Sequence, residues 1–297
     1  MGLYPSKSVA IRREADLFEF GDPPAQRSVV KLRPLRNPIW TENKVRLIER
    51  YLYYFVLITK HGTYIDGFAG PQYEDRPDAW AARLVLEIEP KWLRRFILCD
   101  KGNRQYAALQ ILRDEQPVRK RGEPKRTIDL YHEDFNVAVA QILATGKIRR
   151  AEATFCLIDQ RTFECKWETL ERLAGYKPED QSKIELFYFL AASWLPRALA
   201  AQKEQTVVAD WWGRDDWQLL RSMKDHDRAE LVCKRFRDEL GFRSALAWPI
   251  RSREHGGRVH YHMIHASDHA EALKLMYRAY HKAVMPKESP EQLGLPL

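Results

Sequence analysis

Hydrophobic and polar positions along the chain follow two rhythms. From Thr41 onward, Val45, Leu47, Ile48, Leu52, Phe55 and Val56 recur at helical spacing. Thr41 is placed to cap that helix, and Lys60-His61-Gly62 to end it, with Gly62 at the C-terminal glycine position. Short apolar runs then alternate with amphipathic stretches. The runs are Tyr64–Asp66, Phe96–Asp100, Thr127–Phe135, Ala153–Asp159 and Ile184–Ala191, and helices are predicted over 101–116, 136–145 and 167–174. Strands that are apolar throughout and separated by helices predict a parallel sheet covered on both faces.

The last third of the chain changes rhythm. Residues 215–240 read as charged helix, inside a helical insert at about 202–240. A strand at 243–250, a turn at Gly256-Gly257 and a strand at 258–265 predict a hairpin, and a final helix covers about 268–284. Residues 1–37 are proline-rich and weakly periodic and read as an N-terminal extension; 38–285 form the main domain and 286–297 a tail. A parallel sheet closed by an antiparallel hairpin is the build of class I methyltransferases, so the expected fold is α/β and Rossmann-like.

Composition narrows the classes. The chain has 297 residues, enough for one large domain or two small ones. Lys and Arg number 49 against 41 Asp and Glu, a net charge of +8 that suits a polyanion such as nucleic acid, although a modest surface excess explains it equally well. Cys99, Cys156, Cys165 and Cys233 form no CxxC pair, so zinc and thioredoxin chemistry find no support and no metal is expected. Buried free thiols fit a reducing cytoplasm. No signal peptide is visible, no apolar run reaches bilayer-spanning length, and no membrane partner is expected.

The candidate chemistry sits at the strand ends. YIDGFAGP, from Tyr64 to Pro71, is a strand that breaks into a loop of small residues. Asp66, Asp100, Asp134 and Asp159 end or follow successive strands, and in an open parallel sheet the strands' carboxyl ends line one crevice. Such a crevice suits S-adenosylmethionine, which carries a sulfonium and an ammonium. Asp100 would accept from both ribose hydroxyls, Asp134 from the adenine amino group, and Asp66 would lie beneath the methionine end, with Gly67, Phe68, Ala69 and Gly70 alongside. Acids also cap strands simply because loops are polar. Convergent carboxylates can alternatively bind Mg²⁺ for phosphodiester hydrolysis, a metal-nuclease reading that His132 and Lys101 support only loosely.

The chain resembles the three-Cys-motif partner family, TcmP, over roughly residues 38–285. The stretches that carry the resemblance are WTENKVRLIERYL (Trp40 to Leu52), YIDGFAGP, FILCD, HEDF (His132 to Phe135), FCLID (Phe155 to Asp159), WWGRDDW (Trp211 to Trp217) and RVHYHMIHAS. The resemblance implies a methyltransferase-like bacterial protein with a three-Cys-motif protein as partner. In related amino-methylating enzymes a (D/N)PP(Y/F) element holds the target amine and stacks on a flipped base. Carried over, it makes Asp159 and Phe163 the catalytic candidates.

The chain departs from that pattern twice. Gly70-Pro71 leads into Gln72 and Tyr73 where the family has a further glycine, and Asp159 is followed by Gln160-Arg161-Thr162 instead of proline. Gln restores an N–H and conformational freedom, and Arg161 places a fixed charge where an amine would be held. A degraded or altered acceptor site is therefore expected, with Gln72, Tyr73 and Trp80 as potential plugs of the crevice. A non-catalytic scaffold for nucleic acid or the partner protein is the rival reading. Arg119, Lys120, Arg121, Lys125, Arg126 and Arg161 are the candidate nucleic-acid contacts, against a plain solvated charge run. Trp211, Trp212 and Trp217 either stack on bases or fill the core, with the core the default for two of them. His260 and His262 share one strand face and are more readily a half-buried face than a metal pair.

Overall fold

A computed structural model describes residues 41–72, 77–118, 121–191, 194–251 and 259–284. The expected N-terminal extension, the C-terminal tail, Arg119, Lys120, Tyr73 and the turn at Gly256-Gly257 lie outside the described residues. The elements run α1 (Thr41–Thr59), β1 (Thr63–Asp66), α2 (Ala81–Glu87), β2 (Arg95–Cys99), α3 (Asn103–Asp114), β3 (Thr127–Tyr131), α4 (Phe135–Ala144), β4 (Thr154–Ile158) and α5 (Trp167–Ala174). They continue with β5 (Glu185–Leu190), α6 (Leu195–Ala201), α7 (Gln205–Trp212), α8 (Asp225–Asp238), β6 (Ser244–Arg251), β7 (Val259–Ser267) and α9 (Ala272–Val284).

The seven strands form one sheet in the order β3-β2-β1-β4-β5-β7-β6. β1 to β5 are parallel, and β7 runs antiparallel to both β5 and β6. This is the methyltransferase-like build, a mostly parallel sheet finished by an antiparallel hairpin. Because successive strand residues point to opposite faces, each strand feeds two cores. Ile65, Cys156, Leu186 and Ile264 pack with α4, α5, α7 and α8 on one face. Tyr64, Phe155, Phe187 and Met263 pack with α1, α2, α3 and α9 on the other. The central strands β1, β4 and β5 are thus buried at every position, with Asp66 and Glu185 the charged exceptions to their apolar run, and the molecule has three layers.

The insert between β5 and β6 contributes to the first core. Trp211, Trp212 and Trp217 are all buried, at 2%, 2% and 4% exposure, so none is free to stack on a base. All four cysteines are buried and free. Among the described residues no helix is long and apolar enough to cross a membrane.

Two local expectations need correction. Residues 215–240 are not continuous helix: Asp215–Arg221 is a 3₁₀ turn separate from α8. α1 ends in the left-handed region at Lys60 (φ 58), two residues before Gly62, whose own φ of 152 also favours glycine. Gly62 is needed for packing, since a Cβ there would lie 2.9 Å from the Phe55 ring and 3.2 Å from the Ala153 carbonyl.

Candidate functional site

The strand order reverses direction between β1 and β4, and the crevice outside their carboxyl ends is where such sheets bind ligands. A cleft of ≈ 250 Å³ lies there. Of the candidates read from sequence, Gly67, Phe68, Gly70, Asp100, Asp134, Asp159 and Arg161 line it. Asp66 and Ala69, both 1% exposed, lie beneath it. The parallel register explains this convergence: Asp66 is level with Leu98 and Leu157, so Asp100 and Asp159 leave their strands at the same edge.

Asp100 ties two loops together. Its Oδ2 accepts from the Gly70 N–H at 3.0 Å and its Oδ1 from the Gly102 N–H at 2.9 Å. A carboxylate has about four acceptor positions, so roughly half remain for a ligand. The loop is packed to its limit: a Cβ on Gly67 would sit 2.5 Å from the Phe135 ring, and one on Gly70 would sit 2.2 Å from Gln105 Cβ. Trp80, a suspected plug, instead turns under the loop, and its indole N–H donates to the Ala69 carbonyl at 2.6 Å. Gln72 does line the cleft.

Asp66 supports the loop from below. It accepts from the Tyr64 hydroxyl at 2.8 Å and the Phe68 N–H at 3.1 Å. Burial pushes its carboxyl up to about 7, helped by the charges of Asp159 and Asp100 and opposed by those two hydrogen bonds. Asp134 has a different task. It caps α4, its Oδ1 accepting from the Asn136 backbone N–H at 3.0 Å and side chain at 2.7 Å, while Lys101 approaches Oδ2 at 3.3 Å. Burial pushes its carboxyl up, but the Asn136 and Lys101 contacts outweigh that and hold it below the usual range. What is left for a ligand amine is the acceptor position on Oδ2 that Lys101 does not use.

The far side of the cleft is built differently. Lys44 of α1, 3% exposed, places its Nζ 2.9 and 2.6 Å from the two Asp159 oxygens. The same ammonium lies 4.8 Å from the centre of the Phe189 ring. Gln160, at the position of the expected proline, is buried at 2% and turned inward, where its Oε1 accepts from the Cys165 N–H at 2.9 Å. Phe163 packs edge-on against Trp211 at 5.1 Å, a core contact, and does not line the cleft. Arg161 is exposed at the rim. Asp159 therefore reaches the cleft, but with its charge already partnered, and the ring expected to stack on a base is engaged elsewhere.

Sequence reasoning missed Lys44, Glu133, Gln105 and Glu164 as parts of this region. Lys44 had a detectable signal. It stands three, four and seven positions before Leu47, Ile48 and Tyr51, on the buried stripe of α1, where a lysine needs a partner. Nothing in the sequence said that the partner is 115 positions away.

The basic loop is dispersed. Arg126 stacks on Phe96 at 4.6 Å and donates to the Leu86 carbonyl at 2.8 Å, so its guanidinium is committed to the fold. Arg121 and Lys125 are exposed. Among the described residues no group of three or more His, Cys, Asp or Glu is placed to hold a metal ion, so the nuclease alternative gains no ligand set.

No protein-family model matches the chain, and no curated protein matches it in sequence. Solved structures do show likeness of fold. The small RNA methyltransferase HEN1 is 10% identical with a TM-score of 0.46, over 82% of this chain and 28% of that one. A Legionella pneumophila protein of the DUF519 family is 10% identical with a TM-score of 0.44, over 84% of this chain and 94% of that one. This chain thus spans well under half of the HEN1 structure. At such similarity these likenesses carry no functional argument, and the fold rests on the strand order itself.

Proposed function

We propose that this chain is a methyltransferase-like protein that binds S-adenosylmethionine in the cleft and acts on nucleic acid, with an acceptor end altered from the amino-methylating pattern. The observation that carries the reading is Asp100. It stands at the carboxyl end of β2, fixed by the Gly70 and Gly102 amides, with acceptor positions to spare for a vicinal diol. The residues present suit the cofactor: Asp100, Glu133 and Asp134 make the cleft acidic, Phe68 supplies an apolar wall, and the Gly67–Gly70 loop passes close. When bound, the cofactor supplies an electrophilic methyl group. The protein's share is to orient it through Asp100 and Asp134 and to set the acceptor beside Asp159 and Arg161.

A specific observation favours a second reading, a binding module without catalysis. The Lys44–Asp159 pair occupies the carboxylate that would hold a target amine. Arg161 and the exposed Arg121 and Lys125 then serve phosphate contact alone. The resemblance to the TcmP family adds a three-Cys-motif protein as proposed partner, testable by co-purification of the two chains.

Isothermal titration with S-adenosylhomocysteine is the direct test. Binding that weakens about tenfold in Asp100→Asn, near 1.4 kcal/mol, supports cofactor use. Transfer of labelled methyl to RNA or DNA then separates the enzyme from the binding module. Absence of binding by the intact protein overturns the cofactor reading.

A further inference from the structure

The opposite edge of the sheet holds a second cavity, of ≈ 160 Å³, between α1, the amino ends of β4 and β5, the end of β7 and the start of α9. Its apolar wall includes Phe55, Ile58 and Leu275. Polar groups form the floor. Glu185, 7% exposed, accepts from the Tyr51 hydroxyl and from the Ser267 hydroxyl at 2.9 Å, and lies 2.9 Å from His265 Nε2. Glu152 accepts from the Thr63 hydroxyl at 3.4 Å, and His61 Nδ1 lies 3.7 Å away, beyond hydrogen-bond reach. Glu185 is thus engaged by three of the protein's own groups, Glu152 more weakly.

Lys177 is the exception among the charges. It is 7% exposed, and its Nζ donates to the Glu152 carbonyl at 2.6 Å, a neutral partner that uses one of its three donors. Lys183 has Asp268 at 3.6 Å, and Arg150 and His269 are exposed at the rim. A cavity that joins an apolar wall to a buried cation paired with no carboxylate among the described residues has the makings of an anion site. We infer that this cavity binds a small amphipathic carboxylate, its charge on Lys177 and its apolar body against Phe55, Ile58 and Leu275. The ligand supplies the direct carboxylate contact that Glu152 and Glu185, which act on Lys177 only from a distance, do not make, through a charge-assisted hydrogen bond.

Burial pushes the Lys177 ammonium down to about 8, against the opposing pull of Glu152 and Glu185. The facing groups are Glu152, Glu185, Arg150, Lys183 and His269. Carboxylate binding therefore goes with a protonated Lys177 and weakens as pH rises past that value.

Benzoate and benzylamine, observed by saturation-transfer difference NMR on the full chain, test the site. Benzoate is expected to bind and benzylamine not. Lys177→Met should weaken benzoate about tenfold, Lys177→Arg should retain it, and raising the pH to roughly 9.5 should release it. Should Lys177→Met fail to fold, Ile58→Glu at the exposed mouth provides the same test by repulsion. Asp100→Ala, in the other cleft, should leave benzoate binding unchanged. Equal binding of benzylamine, benzoate binding that survives both Lys177→Met and Ile58→Glu, or loss of binding in Asp100→Ala overturns the assignment.

Discussion

The two halves of the carboxyl-edge cleft spend their carboxylates differently. In the half around β1, β2 and β3, Asp100 is held by two backbone amides and keeps acceptor positions open. In the half around β4, Asp159 is held by a buried ammonium that answers its charge. Backbone amides fix a carboxylate's position and leave its charge for a ligand; an ion pair fixes the position and neutralises it. One half therefore offers a carboxylate with open acceptor positions, and the other a carboxylate whose charge is already met. The Gln160 side chain, turned into the core, points the same way.

The difference between the two halves is open to test at several residues. The largest effect concerns Asp66, beneath the open half. Its carboxyl lies at about 7 instead of 3.8, so the folded state holds the proton more tightly than the unfolded chain. The associated stability is fully present below about pH 4 and is lost as pH rises through 7, on the order of 4 kcal/mol. Urea midpoints measured across that range should fall in the intact protein, and the fall should be smaller by that amount in Asp66→Asn.

The closed half comes next. Lys44→Ala leaves Asp159 without its cation and should cost about 3 kcal/mol in urea unfolding, the low end for a buried pair because Asp159 still touches the cleft. Lys44→Met combined with Asp159→Asn should recover most of that loss. If the single and double variants are equally unstable, the pair is not what holds Asp159.

Gly67→Ala tests the tight loop. Its Cβ would lie 2.5 Å from Phe135, a clash expected to cost about 1–3 kcal/mol and to weaken S-adenosylhomocysteine binding with it. Arg161→Ala should have the smallest effect. Arg161 is exposed, so stability should change by less than about 0.5 kcal/mol. Affinity for single-stranded RNA should fall, with a shallower salt dependence.

Much of the fold was legible because its central strands are short, mostly apolar runs and its longer helices are amphipathic. α5 falls at the predicted 167–174, and Asp66, Asp100 and Asp159 located the ends of β1, β2 and β4; β3 stops at Tyr131, short of the expected Phe135, because Asp134 caps α4 there. α2 and α6 were missed: each spans only 7 residues, too short to show two turns of periodicity. In the candidate site, spacing identified the residues that converge because parallel topology forces convergence. It could not tell how each carboxylate is occupied. Asp134 was read as an adenine contact, and its role as the cap of α4 emerged only from its bonds to Asn136; the Lys44–Asp159 pair joins residues 115 positions apart and depends on packing. Phe163 and Arg126 looked available because an aromatic ring or a guanidinium in a polar stretch reads as exposed; Trp211 and Phe96 claim them in three dimensions.

On the proposed reading the Asp100 half holds the cofactor, and the Asp159 half adds nothing to cofactor affinity. Titration of S-adenosylhomocysteine into the intact protein, Asp100→Asn, and the Lys44→Met, Asp159→Asn double variant tests it most directly. Binding by the intact protein, a loss of about tenfold in Asp100→Asn, and unchanged affinity in the double variant are expected. No binding by the intact protein, or an equal loss in the double variant, would contradict it.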